Sequence, residues 1–348
     1  MLKTQKDKAE IKKSIKGIVH VLNEGGHRRE YRDILANKLC LKPDTGRITF
    51  SKVLTMLKAQ KLLFATVPRG GIYILWIGAL RAILGRKTCA ITISDNWWQH
   101  PRRRALNFIS LIVFRLLDKF NRLSVMSILP PFSRSKKVSF VTDWIHDPQL
   151  WDFADTDYLL SGRLPISELS RAVQVCASGR PVVVFIGKAS LRKGIDEFSE
   201  LSACLAEKFL FVVAGRVDCT CHTFAKKLTQ NGMLVVDRYI EDSELLSLYG
   251  VADYCWCRYA PSNQVNSGVF GRAFQFGVPA IVREGAFLDR LAAFLRHDVI
   301  YDLCKVSTYS TLSSENPRFS NLASSAETRK QLVGYLCEES IERLSSRI

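Results

Sequence analysis

The 348-residue chain has no run of about 18 apolar residues, the length a bilayer-spanning helix needs, so no transmembrane segment is expected. The Lys-rich start carries no apolar stretch of the kind a secretion signal requires, and a cytoplasmic protein is expected. No complete Gly-x-Gly-x-x-Gly follows either early strand-like run, which argues against a dinucleotide oxidoreductase. The ten cysteines lack a secreted-domain framework and fit a reducing compartment. Two pairs, Cys219/Cys221 and Cys255/Cys257, share Cys-x-Cys spacing and would suit zinc only if the fold joined them. The second pair lies in an apolar run, so buried free thiols and no metal site are expected. His222 and His297 form no metal spacing with Asp or Glu. Extended disorder is excluded by a composition of 47% hydrophobic and 24% charged residues.

Acidic residues are scarce in one half only. Residues 1–140 hold 28 Lys and Arg against 8 Asp and Glu, a net +20, whereas residues 141–348 hold 22 against 25, a net −3. That break, with a length beyond the usual ~100–200 residues of one domain, predicts two domains with a ligand cleft between them. The basic half implies an anionic partner: acidic lipid, a lipid-phosphate-linked acceptor, an acidic glycan or nucleic acid. Nucleic acid is disfavoured because the basic residues form no recognised binding module.

In the basic half, residues 18–22 read as a strand running through Asn23, Glu24, Gly25, Gly26 and His27 into a charged helix over 28–39. Residues 62–67 repeat the pattern through Gly70-Gly71 into an apolar helix reaching Leu84, and residues 88–93 form a third strand followed by Asp95 and His100. Strand, glycine turn and helix in succession favour a parallel sheet and bring backbone N–H groups near a ligand. Phe108, Ile109, Ile112, Val113, Leu116, Leu117 and Phe120 then recur at helical spacing among Arg102, Arg103, Arg104, Arg115, Lys119 and Arg122. Such a helix can cover its own sheet or lie on an acidic membrane surface. Residues 138–142 read as the last strand of this half. His20, inside the first strand, reads as structural and His146 as part of the domain junction.

The other half carries stronger signals. Residues 181–187 are an apolar strand ending in Gly187, after which Lys188, Arg192, Lys193 and Gly194 precede a helix, a good phosphate-binding arrangement. Strands follow at 209–214 and 234–236, then Tyr239-Ile240, a helix over 242–249 and a strand near 252–256. The segment from Tyr259 to Val282 contains Gln264 and a small-residue turn, Asn266-Ser267-Gly268-Val269, opening a helix whose N–H groups suit a diphosphate. Gly277 and Pro279 end that helix. This alternation describes a second doubly wound sheet.

On these motifs the sequence resembles the GT-B glycosyltransferases, in particular the group 1 enzymes that include retaining, metal-independent hexosyltransferases of bacterial polysaccharide and lipopolysaccharide synthesis. The resemblance is clearest over 181–290. It implies two Rossmann-like domains, residues 1–165 on the acceptor side and 166–325 on the donor side, with a final helix over 326–348 that can pack back on the first. It implies a nucleoside-diphosphate sugar as donor substrate, no cofactor, and a glycan or lipid-linked hydroxyl as acceptor. Lys188 and Lys193, with Arg192 beside them, would neutralise the departing diphosphate. Gly187, Tyr239, Ile240, Ser267, Gly268 and Val269 would contact the nucleotide and sugar, and Gly25 and Gly26 would face the acceptor and the donor phosphates. His27 would touch the acceptor or reacting sugar, and the acceptor proton would pass to Asp95 as base or, as in retaining enzymes, largely to the leaving phosphate itself. The family commonly has two glutamates eight positions apart where this chain has Gln264 and Arg272. Gln264 can still bond a sugar hydroxyl, but a guanidinium only donates and cannot accept from ribose. That departure keeps open an altered donor, or a sugar-nucleotide-binding scaffold without turnover.

Overall fold

The computed structural model describes residues 17–25, 28–67, 71–93, 104–133, 140–151, 166–263, 266–305 and 326–348. The chain divides into two compact units, Met1–Ala154 together with Gly334–Ile348, and Asp155–Val333.

The first unit is a six-stranded sheet of β1 (Gly17–Val21), β2 (Lys42–Thr45), β3 (Lys61–Val67), β4 (Thr88–Thr92), β5 (Leu123–Ser127) and β6 (Asp143–Trp144). All its pairings are parallel, in the order β2-β1-β3-β4-β5-β6. Alternation along β3 sends Leu63 and Ala65 to one core and Leu62 and Phe64 to the other, so both faces must be covered by helices. On one face lie α1 (Arg28–Leu39), through Tyr31, Leu35 and Leu39, and the end of the last helix, through Cys337, Leu344 and Ile348. On the other lie α2 (Phe50–Lys58), α3 (Tyr73–Ile83) and α4 (Arg104–Lys119), through Met56, Ile74, Leu75, Ile77 and Phe114.

Two expectations for this unit change. The last strands are Leu123–Ser127 and Asp143–Trp144, not residues 138–142, of which 138–139 lie outside the described residues. Thr142 donates its own N–H to Val125 O at 2.7 Å, but the Val125 N–H goes to its side chain: Oγ1 accepts it at 2.9 Å and donates to Asp118 at 2.7 Å, so the side chain takes the place of a backbone acceptor and a strand-like composition stays irregular. In α4, Leu111, Phe114 and Leu117 pack inward, while Phe108, Ile109, Ile112, Leu116 and Phe120, most of the stripe visible in the sequence, are exposed.

The second unit is likewise a six-stranded parallel sheet, in the order β12-β11-β10-β7-β8-β9. Its strands are β7 (Val182–Ile186), β8 (Leu210–Ala214), β9 (Leu234–Val236), β10 (Tyr254–Trp256), β11 (Ala280–Ile281) and β12 (Val299–Ile300). α5 (Glu168–Ala177) precedes β7, between the strands run α6 (Ile195–Leu205), α7 (His222–Gln230), α8 (Asp242–Tyr249), α9 (Gly268–Phe276) and α10 (Phe287–Leu295), and α11 (Ala326–Arg347) follows. The strand order reverses between β7 and β10. In a doubly wound sheet the crevice beyond the carboxyl ends of those two strands is where ligands bind. Among the described residues no helix is long and apolar enough to cross a membrane.

Candidate functional site

The loops that leave β7 and β10 at this reversal hold Gly187, Lys188, Arg192, Lys193 and Ser267, and Gly268 and Val269 open α9 directly after them. β7 ends at Gly187, whose φ of +84° turns the chain away from the sheet. The neighbouring loop after β8 carries Gly215, with φ +144°, pressed so close that a side-chain carbon there would overlap the Gly187 carbonyl. Gly187 N–H donates to Ala214 O at 2.8 Å and Ala189 N–H to Arg216 O at 2.9 Å, so the two loops continue side by side past the strand ends.

A short turn, Leu191–Lys193, and left-handed Gly194 then pass the chain into α6. Trp256 at the end of β10 donates from Nε1 to Lys193 O at 3.0 Å, and Ala260 N–H donates to Arg192 O at 3.0 Å. A Cβ on Gly194 would stand 2.5 Å from Arg258 O, so glycine is needed for the two loops to meet. Glu197, in the first turn of α6, binds Arg258 at 2.8 Å and also Arg283. Burial pushes the Glu197 carboxyl up, but its bonds to the two guanidiniums prevail and bring it below the usual range. This ion triad fixes the loop after β10 against α6.

Lys193 is half-buried inside this frame. Its Nζ lies 3.5 Å from Ile186 O and 5.8 Å from the centre of the Tyr259 ring, and no carboxylate pairs with it among the described residues. Burial lowers its pKa below the ordinary lysine value. Tyr259 is buried, which holds its phenol protonated far above the usual range, and its hydroxyl meets Ser267 Oγ at 3.0 Å. Ser267 caps α9 by accepting the Phe270 N–H at 3.2 Å, and Tyr249 donates to Val269 O at 3.0 Å. An ammonium without a carboxylate is thus linked through one ring to a capped helix N-terminus, where N–H groups lack intrahelical acceptors.

The sequence treats Lys188 and Lys193 alike, and the structure separates them. Lys188 is exposed and its Nζ sits 2.6 Å from Asp218, whose hydrogen bond raises the lysine and depresses the carboxyl. Arg192 is exposed as well, contributing its backbone carbonyl to the frame. Beyond β9, Ile240 is buried and Tyr239 exposed in a loop braced by the Arg238–Glu244 pair, with both bonds at 2.7 Å, and by Asp237 accepting the Val217 N–H at 2.8 Å. Arg272, on the second turn of α9, is half-buried and donates to Gln275 at 2.8 Å. Gly25 stands in the turn after β1 of the first unit, while Gly26, His27, Asp95 and Gln264 lie outside the described residues.

Tyr259, Asp218 and the Glu197 triad are partners that sequence reasoning did not single out. All ten cysteines are free thiols, and among the described residues no three of His, Cys, Asp or Glu cluster as a metal site.

No protein-family model matches the sequence, and no curated protein sequence does. The fold does have solved counterparts. Anabaena HepE, in crystal structures with UDP and glucose and with UDP alone, superimposes with TM-scores of 0.60 and 0.61 at 14% identity, covering 95% of this chain and 100% of that one. A putative UDP-N-acetylglucosamine 2-epimerase from Listeria monocytogenes superimposes with a TM-score of 0.51 at 9% identity, over 96% of each chain. The architecture, two doubly wound α/β units with six-stranded parallel sheets, is the GT-B fold.

Proposed function

We propose that this protein is a glycosyltransferase that moves a sugar from a nucleoside diphosphate to a hydroxyl of a glycan or lipid-linked acceptor. The observation that carries the proposal is Lys193: a half-buried ammonium without a carboxylate partner among the described residues, placed at the strand-order reversal beside Gly187 and the Ser267 helix start. Holding a positive charge where burial disfavours it costs stability, and a bound diphosphate recovers that cost. As the bond to the sugar breaks, negative charge accumulates on the departing diphosphate. Lys193 and the N–H groups at the start of α9 are preorganised to take it up. Fixed positive charge can do this without a metal, so the reaction is proposed as metal-independent, and retention of configuration is what the resemblance to the group 1 enzymes implies. Lys188 and Arg192 add an outer positive field. The loop at Tyr239-Ile240 would hold the base, Gly25 and Gly26 would face the acceptor and the donor phosphates, His27 would contact the acceptor or the reacting sugar, and Asp95 or the leaving phosphate itself would take the acceptor proton.

The first donor to test carries UDP, since the HepE structures contain UDP or UDP-glucose. A thermal-shift screen against UDP-, GDP-, dTDP- and CMP-sugars is expected to show selective stabilisation by one base, followed by transfer from that donor to an acceptor. No shift by any of them in a folded sample would refute the donor assignment. The Arg272–Gln275 pair favours one second reading, a sugar-nucleotide-binding scaffold, because it stands where a ribose-accepting carboxylate would be expected. Donor binding with neither hydrolysis nor transfer would select that reading.

A further inference from the structure

The first unit presents a surface that its own fold leaves uncovered. α2, α3 and α4 lie side by side on one face of the sheet, each with its inner residues in the same core. Arg81 of α3 is fully buried and donates to the carbonyls of Met56, Ala59 and Gln60 at the end of α2, binding the two helices into one layer. Their outer sides carry large apolar side chains. Phe50 and Leu54 on α2, Trp76, Leu80 and Ile83 on α3, and Phe108, Ile112, Leu116 and Phe120 along and just beyond α4 all face solvent, with Phe50 80%, Ile83 82% and Phe108 65% exposed. An apolar area of this extent on a folded protein marks a contact surface.

The charges around it select the partner. Arg115 and Lys119 are exposed among the apolar residues of α4, with Arg47 and Lys58 exposed just before and at the end of α2. Asp118 is the one acidic residue in the three helices, and it accepts the Thr142 hydroxyl at 2.7 Å. The whole segment 1–140 carries a net +20. Apolar side chains set among cations suit the acyl boundary of a bilayer with acidic headgroups, and a tryptophan such as Trp76 favours that boundary. A second copy of the chain fits poorly, because a two-fold contact through this face would oppose two strongly basic surfaces.

We infer that the outer face of α2, α3 and α4 is a docking surface for an anionic phospholipid bilayer, holding the protein on the membrane by shallow insertion of Trp76, Ile83, Phe108 and Ile112. This inference concerns the first unit and stands whether or not the donor assignment in the second is right.

The test is co-sedimentation of the full chain with vesicles of phosphatidylcholine alone and with ~25% phosphatidylglycerol, in ~0.1 M salt. The wild type is expected to pellet with the anionic vesicles and only weakly with the zwitterionic ones. The triple variant Trp76→Ser/Ile83→Ser/Ile112→Ser is expected to lose at least about tenfold in partitioning. All three side chains are exposed in the free protein, so far-UV circular dichroism and the melting temperature should stay those of the wild type. Val175→Ser, which removes a 76% exposed side chain on α5 of the other unit, should bind as the wild type does. Absence of pelleting with anionic vesicles, or a folded triple variant that pellets undiminished, would overturn the inference. So would a wild-type dimer in light scattering that the triple variant dissociates without change in vesicle binding, which would assign the face to a second copy.

Discussion

Replacing Lys193 by Met tests the donor site, because the structure assigns opposite signs to its effects on stability and on binding. Met keeps the unbranched apolar stem that fills the space beside Gly187 and over the Tyr259 ring, and removes only the charge. In the ligand-free protein burial disfavours that charge, so the melting temperature of Lys193→Met should equal or exceed that of the wild type. With ligand the sign reverses. One charge-assisted hydrogen bond to a diphosphate is worth about 1.5–3 kcal/mol, so UDP affinity measured by calorimetry should fall about 10- to 150-fold. Lys188→Met is the internal comparison: an exposed lysine already paired with Asp218 is screened by solvent and contributes little to the ligand, so affinity should fall less than about fivefold. Dependence on pH follows from the same burial. The free-protein pKa of Lys193 is lowered and a bound diphosphate raises it, so affinity is full below the free value and declines as pH rises through it toward the ordinary lysine range. Lys193→Met should flatten that alkaline decline. The reasoning is refuted if Lys193→Met binds UDP within about twofold of the wild type, or if Lys188→Met loses more.

The remaining expectations concern stability. Gly215→Ala would place a Cβ 2.5 Å from the Gly187 carbonyl carbon, backbone against backbone, and should cost about 3 kcal/mol or more by urea unfolding. Gly232→Ala, at φ +74° with nothing within 4 Å, should cost only the ~1 kcal/mol of left-handed strain, and equal losses would show that the loops do not pack as described. Burial pushes His297 down to about 3, assisted by Arg329, and His146 down to about 4. Both are neutral in the folded state near neutral pH while the unfolded chain takes up protons from about 6.5 downward, so stability should fall with pH through that window, by up to about 1.4 kcal/mol per pH unit for each group. His297→Gln should reduce the slope between about pH 6 and 4, and an unchanged slope would refute its assignment. Ending the chain before Gly334 removes Cys337, Leu344 and Ile348 from the core of the first unit and the Ser340 hydroxyl that accepts the His146 N–H at 2.9 Å. The lost burial is on the order of 5 kcal/mol, comparable with the stability of a whole domain. Limited proteolysis should therefore digest the first unit ahead of the second, and equal resistance would count against that packing.

What could be read from the sequence follows from where each residue's partners lie. The strand Val182–Ile186 is buried on both faces, so its apolar run is unbroken and the glycine after it is conspicuous. β2, Lys42–Thr45, reads Lys-Pro-Asp-Thr, an edge strand that buries little and has no pattern to betray it. The stripe on α4 shows helical period clearly. Period alone does not say which side meets the sheet when both sides are apolar, and here Leu111, Phe114 and Leu117 take the inner one.

The donor-site residues divide in the same way. The Gly187-to-Gly194 loop is contiguous in the chain, and its glycines and cations are visible together. What distinguishes its two lysines comes from other loops: Asp218, after the next strand, takes Lys188, whereas the strand on the other side and the loop after it bring the Tyr259 ring, and no carboxylate among the described residues, to Lys193. A cation claimed by a neighbouring carboxylate is largely spent on the fold, and one held by burial without such a partner is available to a ligand. That distinction depends on the strand order β10-β7-β8, which brings three loops distant in sequence to one end of the sheet. Composition can therefore nominate a phosphate-binding loop, but the assignment of work among its charges is made by the topology.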